Sequence, residues 1–139
     1  MVLVDSSVWI EATRKTGRID VKVAMECLLE EYEATVCSPV WLEVLGGLRR
    51  ESRRAYTEYF SILPYVAAVE EDWKRAQEYA WTLADRGLRV PWFDLLIAAI
   101  SIRYGCRIYT IDRHFDVMQA HLGVRLYQPG YGGSFEADR

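Results

Sequence analysis

Four acidic residues, Asp5, Glu43, Asp94 and Asp112, stand where a cation or a phosphate would need them. Asp5 and Asp112 each close a short apolar run, Val-Leu-Val-Asp and Arg-Ile-Tyr-Thr-Ile-Asp, and a helical pattern follows each at once. In open α/β sheets ligands settle in the crevice beyond the carboxyl ends of the strands, so both carboxylates enter one crevice if their strands are neighbours. Uncompensated like charges a few Å apart force one pKa up, whereas a divalent cation lets both remain ionised. Mg²⁺ and Mn²⁺ take oxygen ligands and keep bound waters, so a few carboxylates suffice. Glu43, in the first turns of a helix begun at Ser38-Pro39, and Asp94, just inside a helix begun near Pro91, fit the same scheme. Singly, each acid has an ordinary explanation, since Asp after a strand caps a helix and an acid near a helix start complements its dipole. Asp94 differs because Leu95-Leu96-Ile97-Ala98-Ala99-Ile100 follows it. That sets a carboxylate at the head of a buried helix, where burial without a partner is costly.

The elements that must carry these acids are legible from periodicity and turn residues. Met1 to Val4 reads as a strand and Ser6 to Gly17 as a helix with capping serines, followed by a second helix from Asp20 to Tyr32. Ala34 to Cys37 is a second strand, and Ser38-Pro39 opens a helix that runs through Gly46-Gly47 and is continued by Ser52 to Ile62. The two glycines inside it cost about 1 kcal/mol each, which a close backbone approach would offset. Tyr65 to Val69 is a short strand, Glu70 to Ala84 a helix with an acidic first turn, and Val90 to Tyr104 a helix apolar all round. Arg107 to Ile111, Asp112 to His121 and Val124 to Tyr127 complete the pattern as strand, helix and strand. Strands alternating with helices predict an α/β class, three layers with a central parallel sheet of four to five strands. A single domain over 1–128 and a flexible tail over 129–139 are expected.

Composition narrows the function. The chain has 139 residues, 51% of them hydrophobic and 27% charged, which is globular rather than disordered. No apolar run approaches the roughly 18–20 residues of a membrane helix, and the N-terminus lacks the pattern of a signal peptide, so a soluble, cytoplasmic protein is expected. Cys27, Cys37 and Cys106 show no Cys-x-x-Cys spacing and read as buried small hydrophobes. A net charge of −3 excludes coating of nucleic acid by bulk charge, yet 14 of the 17 basic residues are Arg, whose planar fork suits phosphate and carboxylate. Arg side chains that merely solvate helix faces are the competing explanation.

Four segments in order resemble PIN-domain proteins: Val4-Asp5-Ser6-Ser7-Val8-Trp9, Ser38-Pro39-Val40-Trp41-Leu42-Glu43, Asp94-Leu95-Leu96-Ile97-Ala98-Ala99 and Tyr109-Thr110-Ile111-Asp112-Arg113-His114-Phe115. The likeness spans Val2 to about Gln128, and the size suits the VapC-like toxins of prokaryotic toxin–antitoxin pairs. It implies a PIN-like fold and an endoribonuclease, dependent on Mg²⁺ or Mn²⁺, that hydrolyses RNA phosphodiesters by in-line attack of a metal-activated water. Asp5, Glu43, Asp94 and Asp112 match the catalytic acids, with Asp5, Asp94 and Asp112 as metal ligands. Ser7 and Thr110 match the polar positions that orient a carboxylate, and Asp116 is a further acid four residues beyond Asp112, expected on the same helix face.

The crevice itself repels RNA, so Arg14, Arg50, Arg53 and Arg113, with Lys15 and Arg49, are the candidates to hold it. His114 and His121 are given no role, and His114 is expected at the surface. The resemblance further implies a VapB-like antitoxin partner and a homodimer. Trp9, Trp41, Leu45, Leu48, Tyr56 and Phe60 could line an antitoxin groove, although aromatics at helical spacing are more often core, the preferred reading for most of them. The alternatives are a non-cleaving PIN-like RNA- or protein-binding module and another α/β phosphohydrolase. The acid set opposes the first. Ser7 stands where a haloacid-dehalogenase-type phosphatase needs its second Asp, and no late Lys follows Lys74 to serve a receiver domain. Neither Gly-x-Gly-x-x-Gly nor a P-loop occurs.

Overall fold

The computed structural model of the chain describes residues Met1–Arg139. Its centre is a strand of only three residues, β1 (Val2–Val4), all of them buried. Successive strand residues point to opposite faces, so a fully buried run needs cover on both sides. β1 pairs in parallel with β2 (Ala34–Cys37) on one edge and with β4 (Arg107–Tyr109) on the other, and β3 (Tyr65–Val66) pairs with β2, giving the order β3-β2-β1-β4. Parallel neighbours require crossovers, which the helices supply. These are α1 (Ser6–Thr13), α2 (Ile19–Glu30), α3 (Ser38–Gly46), α4 (Arg50–Ser61), α5 (Glu70–Ala84), α6 (Trp92–Tyr104) and α7 (His114–Leu122).

The expected α/β class and parallel sheet are therefore found, with local differences. The helix from Ser38 does not run through its glycines: α3 stops at Gly46, Gly47 caps it, and α4 begins at Arg50. No neighbouring element crowds either glycine, so they end a helix rather than admit a close approach. Val124–Tyr127 makes a single parallel bridge, Leu126 to Ile108, instead of a strand. Pro129, which has no N–H to donate, then leads the chain away from the sheet edge. α7 starts at His114, so Asp112 lies before the helix and does not share a helix face with Asp116.

Beyond Pro129 the segment expected as a flexible tail lies against the domain. Phe135 stacks on Tyr127, the Glu136 amide donates to Tyr127 Oη, Arg107 donates to the Glu136 carbonyl, and Arg125 pairs with Asp138. Gly133, at φ +87°, passes so close to α2 that a Cβ there would meet Val23 Cγ1 at 3.0 Å.

α6 carries the deepest part of the core, buried continuously from Asp94 to Ser101. Burying each of its Leu and Ile side chains is worth about 1.5–3 kcal/mol. α5 packs along α6 and is pinned at its start by a forked ion pair. Arg103 donates from Nε and Nη2 to the two carboxylate oxygens of Asp72, at 2.8 and 2.9 Å. Asp72 Oδ2 also accepts from the Val69 amide at 2.9 Å, which caps α5. Along the outer side of this pair, exposed Trp73, Trp81 and Trp92 border an apolar groove of about 770 Å³.

Candidate active site

The β1–β4 pairing decides where two of the acids go. Val4 is in register with Tyr109, and the Asp5 amide donates to the Tyr109 carbonyl at 2.9 Å, so the ladder carries Asp5 alongside Thr110. Asp5 is the N-cap of α1. Its Oδ2 accepts from Ser7 Oγ at 2.7 Å, Thr110 Oγ1 at 3.0 Å and the Ser7 amide at 3.4 Å. The two hydroxyls are fixed in turn: Ser7 Oγ accepts from the Ile111 amide at 3.2 Å and Thr110 Oγ1 from the Asp112 amide at 2.9 Å. Ser7 and Thr110 thus orient the carboxylate and join the two strand ends. Burial pushes the Asp5 carboxyl above its ordinary range, and the bonds from Ser7 and Thr110 act against that shift.

Glu43 comes from the second turn of α3, whose start is fixed by Pro39. Ser38 opens this helix without capping it: Cys37 is the N-cap, and Ser38 Oγ accepts from the Ala68 amide at 2.8 Å. Glu43 Oε1 is buried without a hydrogen-bond partner. Its carboxyl is pushed up to about 7, first by burial and then by Asp5, Asp94 and Asp112.

Asp94, in the first turn of α6, is only 6% exposed. It too is pushed up, to about 6, by burial and by the charges of Asp5 and Asp112, and a hydrogen bond from His114 opposes the rise. His114 Nδ1 lies 3.0 Å from Asp94 Oδ2 and 3.0 Å from Asp112 Oδ1. Two carboxylate acceptors at that distance call for a proton on Nδ1. The His114 amide donates to Asp112 Oδ1 as well, at 3.0 Å. His114 was expected at the surface with no role; its side chain is 46% exposed, yet its ring spans two of the predicted acids.

Asp5 and Asp112 raise both Glu43 and Asp94, and Asp94 also raises Glu43, so the four acids lie close enough to interact at one end of the sheet. A ligand atom from each of Asp94, Asp112 and His114 falls within 4.8 Å of the other two. Asp5 stands outside that group and is coupled to Asp94 and Glu43 through its charge. An oxygen-rich set suits Mn²⁺ and Mg²⁺, and a partnerless buried Glu43 oxygen beside three other acids leaves negative charge for a cation to neutralise.

The remaining predicted residues lie apart. Asp116 is exposed on α7 and is not among the groups that shift Asp94 or Glu43. Arg14 is exposed beside Glu11, Arg50 and Arg53 are exposed on α4 with Arg53 Nε donating to the Leu48 carbonyl, and Arg113 is exposed ahead of α7. Trp9 and Phe60 are core residues with ring centroids 5.0 Å apart, and Trp41 packs on Phe60 at 5.7 Å.

The chain is similar to known proteins. A model of the PIN domain matches residues 2–120. A VapC ribonuclease of Mycobacterium bovis and the ribonuclease VapC11 of Mycobacterium tuberculosis are each 35% identical over 123 residues, covering 85% of this chain and 91% of the relative. Among solved structures, VapBC2 from Rickettsia felis, bound to a DNA fragment from its promoter, superposes with a TM-score of 0.74 at 19% identity, over 91% of this chain and 98% of that one. At that identity the structural likeness speaks for the fold.

Proposed function

The chain belongs to the PIN domain family, and from that membership we propose that it is a ribonuclease of the VapC kind, a single domain over 1–128 that hydrolyses RNA phosphodiesters. The observation that carries this reading is the gathering of Asp5, Glu43, Asp94 and Asp112 at one end of the sheet, where Asp5 and Asp112 raise both Glu43 and Asp94. A crevice so rich in carboxylate is built for a divalent cation, Mg²⁺ or Mn²⁺, which Asp5, Asp94 and Asp112 would hold, with His114 orienting Asp94 and Asp112 through its ring. When bound, that cation neutralises the carboxylates and supplies Lewis-acid stabilisation of the charge that builds on the phosphate.

The chain's own groups do the rest. Ser7 and Thr110 fix the Asp5 carboxylate before substrate arrives, so no reorganisation is needed during reaction. Glu43 has the carboxyl that exchanges a proton closest to neutrality, which suits it to accept a proton at its carboxylate from the attacking water. Arg14, Arg50, Arg53 and Arg113, all exposed, hold the RNA backbone on either side of the crevice.

By analogy with the VapBC complexes, a VapB-like antitoxin is the inhibitory partner and the chain works as a homodimer. No helix is long and apolar enough to cross a membrane, and the cytoplasm, where RNA is met, is the proposed location. The test is end-mapping of cellular RNA after brief expression of the wild type and of Asp5→Asn. New ends carrying 5′ phosphate in the wild type alone support the reading, and identical ends in both overturn it.

A further inference from the structure

Beside Thr110 and Ile111 lies a cleft of about 600 Å³. Its size is that of a small-molecule site, about 300–1,000 Å³. The start of α2 at Arg18 to Val21, Thr110 and Ile111 at the end of β4, and the turn from Gln128 to Gly133 enclose it. The cleft is joined to the acids through bonds already described, since Thr110 Oγ1 donates to Asp5 and the Ile111 amide donates to Ser7 Oγ. A single residue, Ile111, separates Thr110 from Asp112.

The cleft's charge is cancelled from within. Arg18 donates to Asp20 from Nε and Nη2, at 3.1 and 2.7 Å, so the pair adds no net charge to the cleft. What remains is apolar surface on Ile19 and Ile111, which are 77% and 37% exposed, and polar edges on Gln128 and the glycine backbone. The glycine turn is preformed: the Gly130 amide donates to the Ser134 carbonyl at 2.8 Å and the Gly133 amide to the Gly130 carbonyl at 3.0 Å. An uncharged, flat group with hydrogen-bonding edges fits this lining of no net charge. In single-stranded RNA that group is the base, which is read by stacking and by its edges.

We propose that this cleft receives the nucleobase adjoining the cut phosphate and so sets which sequence is cut. The proposal rests on the ribonuclease reading. It is tested with the full chain, Mn²⁺ and an RNA pool randomised around the cut, by comparing flanking nucleotide frequencies for wild type, Ile19→Trp and Gln128→Ala. Ile19 is exposed, so a Trp there fills the cleft without disturbing the core. The expected result is a nucleotide preference at one position beside the cut in the wild type, weakened about 5- to 10-fold in both variants. Unaltered frequencies in both variants, or no preference in the wild type, overturn it. A parallel titration of the ¹⁵N-labelled chain with AMP, GMP, CMP and UMP should shift the Gln128 and Gly132 amides, and Ile19→Trp should abolish those shifts. Such shifts without any cutting of RNA would overturn the ribonuclease reading, and with it the placing of the base beside a cut, leaving a nucleobase site. Unaltered preference in Ile19→Trp, with loss only of a co-purifying partner protein, would assign the cleft to a protein segment and overturn the proposal.

Discussion

His114 Nδ1 lies 3.0 Å from Asp94 Oδ2, joining the start of α7 to the first turn of α6 across twenty residues of sequence. The bond lowers the Asp94 carboxyl against a larger upward push from burial. His114→Ala should therefore raise the Asp94 titration midpoint above its value of about 6. Carboxyl ¹³C titration of wild type and variant measures this, and an unchanged midpoint would show that the imidazole does not support the carboxylate.

Stability should fall as pH rises. Glu43 at about 7 and Asp94 at about 6 both sit above their ordinary values. The folded chain then binds more protons than the unfolded one between about pH 4 and 7, so stability is full below that window and declines through it. Partial exposure of Glu43 limits the loss to roughly 1–2 kcal/mol, a drop of several degrees in Tm between pH 5 and 7.5. Saturating Mn²⁺ should remove most of the difference, because the cation favours the ionised carboxylates. Thermal melts across pH, with and without Mn²⁺, check both signs.

The ion pair of Asp72 and Arg103 gives a prediction remote from the acids. Asp72 is 1% exposed, and Arg103→Ala would leave its carboxylate buried without its partner. Urea denaturation should show a loss of about 2–4 kcal/mol, somewhat below the range for a wholly buried pair because Arg103 is partly exposed. Mn²⁺ affinity at low temperature should be unaffected.

RNA binding should depend on salt through the arginines. Each phosphate contact removed reduces the slope of log K against log salt by about 0.7 for a single strand. Arg50→Ala and Arg53→Ala should each flatten the slope by up to that amount, measured on Asp5→Asn so that RNA stays intact. Equal slopes would mean that these side chains only solvate α4.

Most of the architecture was legible because strand ends and helix starts carry strong local signals. Asp5 could be placed since an apolar run ends at it and serines follow, and Asp94 because a carboxylate before six apolar residues is costly without a purpose. The meeting of Asp5 with Asp112 depended on β1 lying beside β4, which the sequence implied only through the alternation of elements. His114 was missed because its role comes from long-range geometry: nothing local says that the first residue of α7 faces the first turn of α6. The α3–α4 break and the reduction of Val124–Tyr127 to one bridge were likewise set by tertiary context, where propensity is a weak guide. The cleft beside Thr110 joins α2, β4 and the C-terminal glycine turn, segments with no sequence signature in common.

The central claim is that the four converging acids cut RNA with a divalent cation. Cleavage of a defined single-stranded RNA by purified wild type and Asp94→Asn, in Mn²⁺ and in EDTA, with circular dichroism to confirm folding, tests it most directly. The expected result is cutting by the wild type in Mn²⁺, none in EDTA, and a loss of at least about 100-fold in the folded variant. Equal cutting by both proteins, or cutting that persists in EDTA, would contradict it.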